Sequence, residues 1–230
     1  MSGVAIIAMP DLSPPRRISE TVPPVASTSD MATGITGGIA ARPSEPLGIL
    51  LAAGFSRRFG PQDKRHLPWN DRYCLAEASA LPLLETLAHV VVVLRPEDEA
   101  LAERLAHLGC EPLICPHAEQ GMGASLAWGV RYLSDHRSGW IIGLADMPAV
   151  TAASVAGVRH ALIDGASAAR PVHAGWPGHP VGFSVLARAA LMALKGEMGA
   201  REIFMQLGGR LLPTDDAGVL LDIDEPAALR

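Results

Sequence analysis

Four short apolar runs, each followed within three residues by glycine, proline or a charged side chain, constrain the fold of this chain most strongly. The runs are residues 47–51, 89–94, 112–115 and 140–144. Apolar runs of this length are typical of strands that are buried on both faces of a parallel sheet. Helical stretches separate or follow the runs, near residues 75–87, 97–108, 124–133 and 152–163. Strands that alternate with helices predict βαβ units and right-handed crossovers.

The pattern becomes less regular after Asp164. The later segments are strand-like pieces at 168–173 and 180–184, short helices near 186–194 and 200–207, and closing strands at 211–212 and 219–223. We therefore predict an α/β fold with a single Rossmann-like domain and a mainly parallel, twisted sheet. A small C-terminal substrate lobe would begin at about residue 165.

Residues 1–45 differ in composition from the rest of the chain. They are rich in Pro, Ser, Thr and Gly, and no apolar periodicity in them lasts more than one turn. Such a segment buries too little apolar surface to fold alone, so we predict a disordered leader over 1–45 and one folded domain over 46–230.

Composition excludes several classes of protein. The 230 residues carry 19 Lys and Arg against 24 Asp and Glu, a net charge of −5, which argues against a nucleic-acid or anionic-membrane surface. Three cysteines without C-x-x-C or zinc spacing favour reduced thiols. The longest apolar run near the start, residues 4–9, is too short for a signal peptide or a membrane span. We expect a cytoplasmic protein.

The loop after the first strand has the composition of a polyphosphate site. Its sequence over residues 50–64 is LLAAGFSRRFGPQDK, with small residues that allow backbone N–H groups to approach an anion and cations that neutralise it. It is not a P-loop, because no G-K-[ST] follows. The alternative is an ordinary strand-to-helix turn with solvated cations. The predicted nucleotide-binding residues here are Leu51, Ala52, Ala53, Gly54, Arg57 and Lys64, with Arg58.

Carboxylates at two later positions predict a magnesium site. Asp146 follows a buried strand, where a fixed carboxylate can hold Mg²⁺ together with waters and phosphates. Asp222 and Asp224 alternate with Ile223, so in a strand both would share one face with the cation. We predict Asp146 and Asp224 as metal ligands, with Asp222 as the alternative second ligand. Helix-capping roles are the other interpretation of all three.

Three further groups of residues are candidates for ligand contacts. Gly121, Gly123 and Ser125 open a helix whose free N–H groups can meet a base or a phosphate, although the two glycines are also consistent with close packing. His179 is a candidate for the acceptor substrate, or a turn histidine. Arg201, with Arg170 and Lys195, is a candidate for an acceptor phosphate, although Arg201 and Lys195 also suit a solvated helix face.

The order of these motifs resembles a known enzyme family. L-A-A-G-x-S-x-R-F-G at 51–60 followed by a lysine resembles the signature of the nucleotidyltransferases that activate sugars, isoprenoid precursors and the molybdenum cofactor. Five later segments resemble those of the molybdenum cofactor cytidylyltransferases in the MobA-like superfamily: 121–126, 144–148, 178–181, 196–201 and 222–226. The chain departs from that pattern at Ala145, where Gly is usual, and at Glu197, where Asp is usual. Its loop before Lys64 is also one residue longer than in many cytidylyltransferases, and Pro82 interrupts the helix that follows this loop.

The resemblance implies a fold and a reaction. The fold would be of the nucleotide-diphospho-sugar transferase type. The enzyme would transfer CMP from CTP to the terminal phosphate of molybdopterin or the molybdenum cofactor and release pyrophosphate, with Mg²⁺ as cofactor. Arg58, Lys64 and Asp146 would be catalytic, and a molybdoenzyme of the xanthine dehydrogenase type would receive the product. Two alternatives remain open: a GTP-dependent or isoprenoid/sugar nucleotidyltransferase, and a non-catalytic carrier of the molybdenum cofactor.

Overall fold

The computed structural model of the chain describes residues 45–55, 63–135 and 139–224. The predicted leader, apart from Glu45, lies outside the described residues, and so do Arg57 and Arg58.

Eight strands and six α-helices make up the described part of the chain, together with four short 3₁₀ turns. The strands are β1 Leu47–Leu51, β2 Val90–Leu94, β3 Glu111–Ile114, β4 Trp140–Leu144, β5 Ala168–His173, β6 Trp176–Pro177, β7 Val181–Phe183 and β8 Arg210–Pro213. The helices are α1 Leu75–Thr86, α2 Glu99–Leu108, α3 Met122–Tyr132, α4 Ala152–Ile163, α5 Arg188–Met192 and α6 Arg201–Gln206. The 3₁₀ turns are Lys64–His66, Ala118–Gln120, Val185–Ala187 and Ala217–Leu220.

The strands form one mostly parallel sheet, as the alternating pattern predicted. The order is β3-β2-β1-β4-β7-β5-β6, and β8 pairs with β5. The pairs β1–β2, β1–β4, β2–β3 and β5–β8 are parallel, whereas β7 is antiparallel to both of its neighbours. Strands β5 to β8 therefore continue the same sheet beyond Asp164. The carboxyl ends of β1, β4 and β5 lie at one edge of it, which is where ligands of open α/β sheets bind.

Helices cover both faces of the sheet and bury its central strands completely. In β1, Ile49 and Leu51 face the cluster that contains α3, α5 and α6, while Leu50 faces the cluster of α1, α2 and α4. All five residues of β1 and all five of β2 are buried, which explains their continuous apolar sequence. Within the described ranges, no helix has the length and apolar character needed to cross a membrane.

Two details of the sequence prediction are wrong. Residues 219–223 are not a strand: a 3₁₀ turn ends at Leu220, and the chain then runs without regular pairing to Asp224. Pro82 does not interrupt the first helix, because α1 continues through it to Thr86. Proline removes one helical hydrogen bond, and the burial of Pro82 and Leu83 against the sheet layer offsets that loss.

Candidate functional site

A cleft of about 330 Å³ opens at the carboxyl edge of the sheet, beside β1 and β4. Nine of the residues predicted from the sequence line it: Leu51, Ala52, Ala53, Gly54, Lys64, Gly121, Ser125, Asp146 and Asp224. The remaining lining residues are Phe55, Arg65, Ala118, Met122, Leu144, Ala145 and Glu197. The volume is at the lower end of the range for small-molecule sites.

The loop after β1 forms the floor of the cleft. Ala52 continues the strand pairing through its N–H, which donates to the carbonyl of Val93 at 2.9 Å. Ala52 and Ala53 are buried, while Gly54 and Phe55 are exposed. The chain therefore leaves the sheet at Gly54, where backbone groups become accessible to a ligand.

The centre of the cleft holds one cation between two carboxylates. Lys64 Nζ lies 2.8 Å from an oxygen of Asp146 and 2.7 Å from an oxygen of Asp224. Burial by itself would lower the pKa of Lys64, but the hydrogen bonds and charges of the two aspartates outweigh it and raise that pKa above its ordinary value. The side chain of Lys64 is only 10% exposed, against 23% for Asp146 and 47% for Asp224.

Backbone hydrogen bonds bring these carboxylates together from distant parts of the sequence. Asp146 is held just beyond β4 because the N–H of Ala145 donates to the carbonyl of Leu51 at 3.1 Å. The N–H of Ile223 donates to the carbonyl of Asp146 at 2.9 Å, and this contact carries Asp224 to the cleft. Burial raises the pKa of Asp222, and the charges of Asp224 and Asp146 raise it further. Asp222 therefore lies near the two carboxylates of the cleft, without the strand that we predicted for Asp222 and Asp224.

The next residue along the chain, Arg65, forms a second and more buried ionic cluster. Its guanidinium donates to Asp98 at 2.5 and 2.7 Å, to Asp63 through Nε at 2.9 Å, and to the carbonyl of Ala52. Arg95 donates to the same two aspartates at 2.5 Å and 2.9 Å. Burial raises the pKa of Asp98, and pairing with Arg65 opposes that rise. The cluster ties the β1 loop to the end of β2.

The same cluster includes three side chains whose ligand atoms lie within 4.8 Å of one another: Asp63, His66 and Asp98. Three such groups can in principle hold a metal ion. Here the two arginines already neutralise both carboxylates, so an added divalent cation would meet two guanidinium charges at short range. We therefore assign this cluster to structure rather than to metal binding.

The glycine motif at the start of α3 packs against another segment of the chain. The N–H of Gly123 donates to the carbonyl of Gly196 at 2.8 Å, and a Cβ at position 123 would lie 2.5 Å from the carbonyl oxygen of Met198. Gly121 has a φ of +110°, which strongly favours glycine. Gly121 and Ser125 line the cleft, whereas Gly123 lies behind it with its amide already paired.

His179 and Arg201, the two predicted acceptor residues, lie outside the cleft. His179 is partly buried beside β4. Burial lowers its pKa to about 4, the positive charge of Arg170 adds to that effect, and a hydrogen bond to Ile142 opposes it. Arg170 donates to the carbonyl of Gly178 at 3.0 Å. Burial and the nearby charge of Arg201 lower the pKa of Arg170, so these two arginines lie close enough to repel each other.

Sequence reasoning missed Arg65 and Glu197 as residues of the site. Arg65 adjoins Lys64, but the sequence positions of the charged residues 63, 65, 95 and 98 follow no periodicity. Their contact in the fold therefore could not be predicted from the sequence. Glu197 lies within the 196–201 motif, where the sequence marks it only as a departure from the usual Asp. In the structure its carboxylate accepts from the N–H of Met122 at 3.4 Å, which places it at the mouth of the cleft.

Comparison with known proteins places this geometry in a family. Residues 48–211 match the MobA-like NTP transferase domain. A search of curated proteins found no significant match.

Solved structures of similar fold cover most of the chain. Rv0371c from Mycobacterium tuberculosis H37Rv is 24% identical with a TM-score of 0.72, over 81% of this chain and 95% of that one. Its manganese complex is 21% identical with a TM-score of 0.68, over 80% and 96%. The Rv0371c homologue from Mycobacterium sp. strain JC1 is 26% identical with a TM-score of 0.68, over 81% and 93%. Molybdopterin-guanine dinucleotide biosynthesis protein A from Archaeoglobus fulgidus is 19% identical with a TM-score of 0.55, over 79% and 94%.

Proposed function

Because the chain belongs to the family of MobA-like NTP transferase domains, we propose that it transfers CMP from CTP to the terminal phosphate of molybdopterin or the molybdenum cofactor. The observation that carries this proposal is the meeting of Lys64, Asp146 and Asp224 beside the exposed backbone of Gly54 in one cleft. A cation, two carboxylates and free backbone groups are what a triphosphate and its metal require.

The reaction needs no general base from the protein. A phosphomonoester has a second pKa of about 6, so the acceptor is mostly ionised at neutral pH. Its oxygen attacks the α-phosphorus of CTP, the bond from that phosphorus to the bridging oxygen breaks, and pyrophosphate leaves with the electron pair. The protein contributes positioning and charge neutralisation. Lys64, together with Arg58 outside the described residues, would neutralise the β- and γ-phosphates, and Arg57 would add charge to the same loop.

Asp146 and Asp224 fit a divalent cation, because one oxygen from each already converges on a single positive charge. Mg²⁺ prefers one or two carboxylates, with phosphates and waters as its other ligands. When bound here it would neutralise charge on the phosphates. The manganese complex of Rv0371c supports a metal in a protein of this fold.

The choice of CTP over GTP rests on Ala53. This residue is 3% exposed and lines the cleft immediately before the chain leaves the sheet. Its methyl group narrows the space for a base, which favours a pyrimidine. One methyl group discriminates by about 10- to 200-fold, so Ala53→Gly is expected to raise kcat/KM for GTP relative to CTP within that range. The Archaeoglobus neighbour, named for a guanine dinucleotide, is the reason to test GTP as the alternative.

The acceptor side of the site is proposed to include Arg170 and Arg201. Arg170 is partly buried, and its guanidinium donates to the backbone carbonyls of Gly178 and Pro177. Two neighbouring guanidinium groups would be stabilised by an acceptor phosphate. His179, beside Arg170, would support this side of the site. The product would pass to a molybdoenzyme of the xanthine dehydrogenase type.

Pyrophosphate release is the measurement that tests this function. Purified protein with Mg²⁺ and molybdenum cofactor is given each nucleoside triphosphate in turn, and CTP is expected to give the fastest release. Faster release with GTP would show that the enzyme transfers a guanylyl group rather than a cytidylyl group. If pyrophosphate were released only when a sugar or isoprenoid phosphate took the place of the molybdenum cofactor, the proposed acceptor would be wrong. Binding of the cofactor with no release from any nucleotide would favour the non-catalytic carrier.

A further inference from the structure

The contacts of Lys64 suggest a role beyond that of a fixed phosphate ligand. Its ammonium group lies between two carboxylates, 2.8 Å from Asp146 and 2.7 Å from Asp224. These are the same two groups that the proposed function assigns to the metal. The side chain of Lys64 is also the most buried of the three.

An ammonium and a divalent cation cannot both occupy this position. Mg²⁺ takes carboxylate oxygens at about 2.0–2.1 Å, so a metal bound by both aspartates would lie within a few ångströms of Lys64 Nζ as it now stands. Two positive charges at that separation repel strongly in a partly buried site. Lys64 must therefore leave the carboxylates when a metal binds them.

The fold allows that movement while it fixes the backbone beneath it. The 3₁₀ turn Lys64–His66 is capped by Asp63, which accepts from the N–H of Arg65 at 3.1 Å. Arg65 is held in turn by Asp98. The flexible four-carbon side chain of Lys64 can therefore change conformation while its backbone stays in place. Lys64 lines the same cleft as the β1 loop residues Ala53 and Gly54, where the phosphates are proposed to bind.

We propose that Lys64 is the resident counter-cation of Asp146 and Asp224, and that a divalent metal displaces it towards the nucleotide phosphates. Metal and triphosphate then bind cooperatively, because the metal must compete with Lys64 unless a phosphate is present to receive the displaced ammonium. The free enzyme has weak affinity for metal, because Lys64 neutralises part of the carboxylate charge until nucleotide arrives. This inference rests on the metal site of the proposed function.

Mn²⁺ titration followed by electron paramagnetic resonance tests the proposal, with and without a non-hydrolysable CTP analogue. Lys64→Met retains the apolar stem and removes the charge. It is expected to bind Mn²⁺ roughly 10-fold or more tightly than wild type without nucleotide, and to lose most of the coupling between Mn²⁺ and the analogue. Lys64→Arg, which retains a cation, should bind Mn²⁺ as weakly as wild type.

Arg210→Met is the matched control, since it removes one positive charge from an exposed position on the edge strand β8. It should leave both Mn²⁺ affinity and coupling unchanged. Lys64→Gln replaces Lys64→Met if the latter has a lowered melting temperature. Equal or weaker Mn²⁺ binding by a folded Lys64→Met or Lys64→Gln variant would overturn the proposal while leaving the proposed function intact. No Mn²⁺ binding by wild type, even with the analogue, would instead overturn the metal site and with it both proposals.

Discussion

Lys64 and Arg65 are neighbours in the chain, and each lies between two aspartates, yet their surroundings differ. The side chain of Arg65 is 3% exposed and that of its partner Asp98 is 2% exposed. Lys64 is nearly as buried, but Asp146 and Asp224 both reach solvent in the cleft. Arg65 also donates to the carbonyl of Ala52, whereas within the described part of the chain the ammonium group of Lys64 donates to its two carboxylates.

This difference separates a structural ion cluster from one that we propose to be functional. A buried cluster whose members are all paired is costly to open, because any group that loses its partner remains away from water. A cation whose partners face a cleft can be exchanged for another cation, because water and ligand can replace what it leaves. Substitutions in the two clusters should therefore affect stability and activity differently.

Arg65→Ala should destabilise the protein by about 3–5 kcal/mol, because it leaves the buried Asp98 with one fewer counter-cation and frees the carbonyl of Ala52. Urea unfolding monitored by circular dichroism measures the loss. Arg72→Ala, at an exposed position, is the control and should change the free energy of unfolding by less than about 0.5 kcal/mol. A loss for Arg65→Ala no larger than for that control would place Arg65 in the same class as a surface residue.

Lys64→Ala should have the opposite effect to Arg65→Ala, with a large loss of transfer rate and a small loss of stability. The transfer rate should fall by about 10²- to 10³-fold, because a cation that meets developing charge on the phosphates is removed. Stability should change by only about 1 kcal/mol or less, since its partners are accessible to water. Initial rates of pyrophosphate release, read beside melting curves, separate the two effects. A strongly destabilised variant with normal turnover per folded molecule would reverse our assignment.

Asp216→Ala should destabilise the protein by about 1–3 kcal/mol, because Asp216 accepts from several groups at the start of α4 and the 217–220 turn. Its partners include the N–H of Thr151 at 3.0 Å and the hydroxyl of Ser154 at 2.7 Å. This contact anchors the segment that carries Asp224 to Lys64, so the variant should also bind Mn²⁺ more weakly. Asp215→Ala, at the exposed neighbouring position, is the control.

The effect of Asp216 should depend on pH. Burial opposes ionisation, but the hydrogen bonds from Ser154, Thr151 and Gly218 outweigh it and lower the pKa of Asp216. A carboxyl with a lowered folded pKa stabilises the native state above its unfolded pKa of about 3.9 and loses that contribution as the pH falls through the folded value. The stability gap between wild type and Asp216→Ala should therefore narrow below about pH 4. A gap that widens on acidification would contradict the assignment.

Deletion of residues 1–44 should have the smallest effect, within about 0.5 kcal/mol of stability and with unchanged transfer rate. The deletion retains Glu45, which pairs with Arg159 at 2.6 Å. Neither ionic cluster contains a residue before Asp63, so both should persist. A fall of several degrees in melting temperature would show that the leader contributes to the domain.

The central strands of the sheet could be predicted from the sequence, whereas the ion pairs between distant residues could not. Strands β1, β2 and β4 are continuous apolar runs because both faces are covered, and that burial is visible in the sequence. Asp146 could be placed at the sheet edge because it follows such a run. Asp224 could not be placed correctly, because the alternation of Asp222, Ile223 and Asp224 resembles a strand. The segment before Asp224 is instead a 3₁₀ turn followed by an unpaired stretch.

Contacts between distant charges also escaped prediction for a physical reason. Hydrophobic periodicity reports which face of an element is buried, but it carries no information on which ion pairs with which. Lys64 was expected to meet phosphate, and its pairing with Asp146 and Asp224 emerges only from the fold. The packing of Gly123 against residues 195–198 was likewise one of two open interpretations of the glycine motif.

A crystal structure with Mn²⁺ and a non-hydrolysable CTP analogue tests the distinction between the two clusters most directly. The anomalous signal of the metal is expected between Asp146 and Asp224, with Lys64 moved to the phosphates and Arg65 still bound to Asp63 and Asp98. A metal bound instead by Asp63, His66 and Asp98, or Lys64 unmoved between its two carboxylates beside a bound nucleotide, would contradict the account.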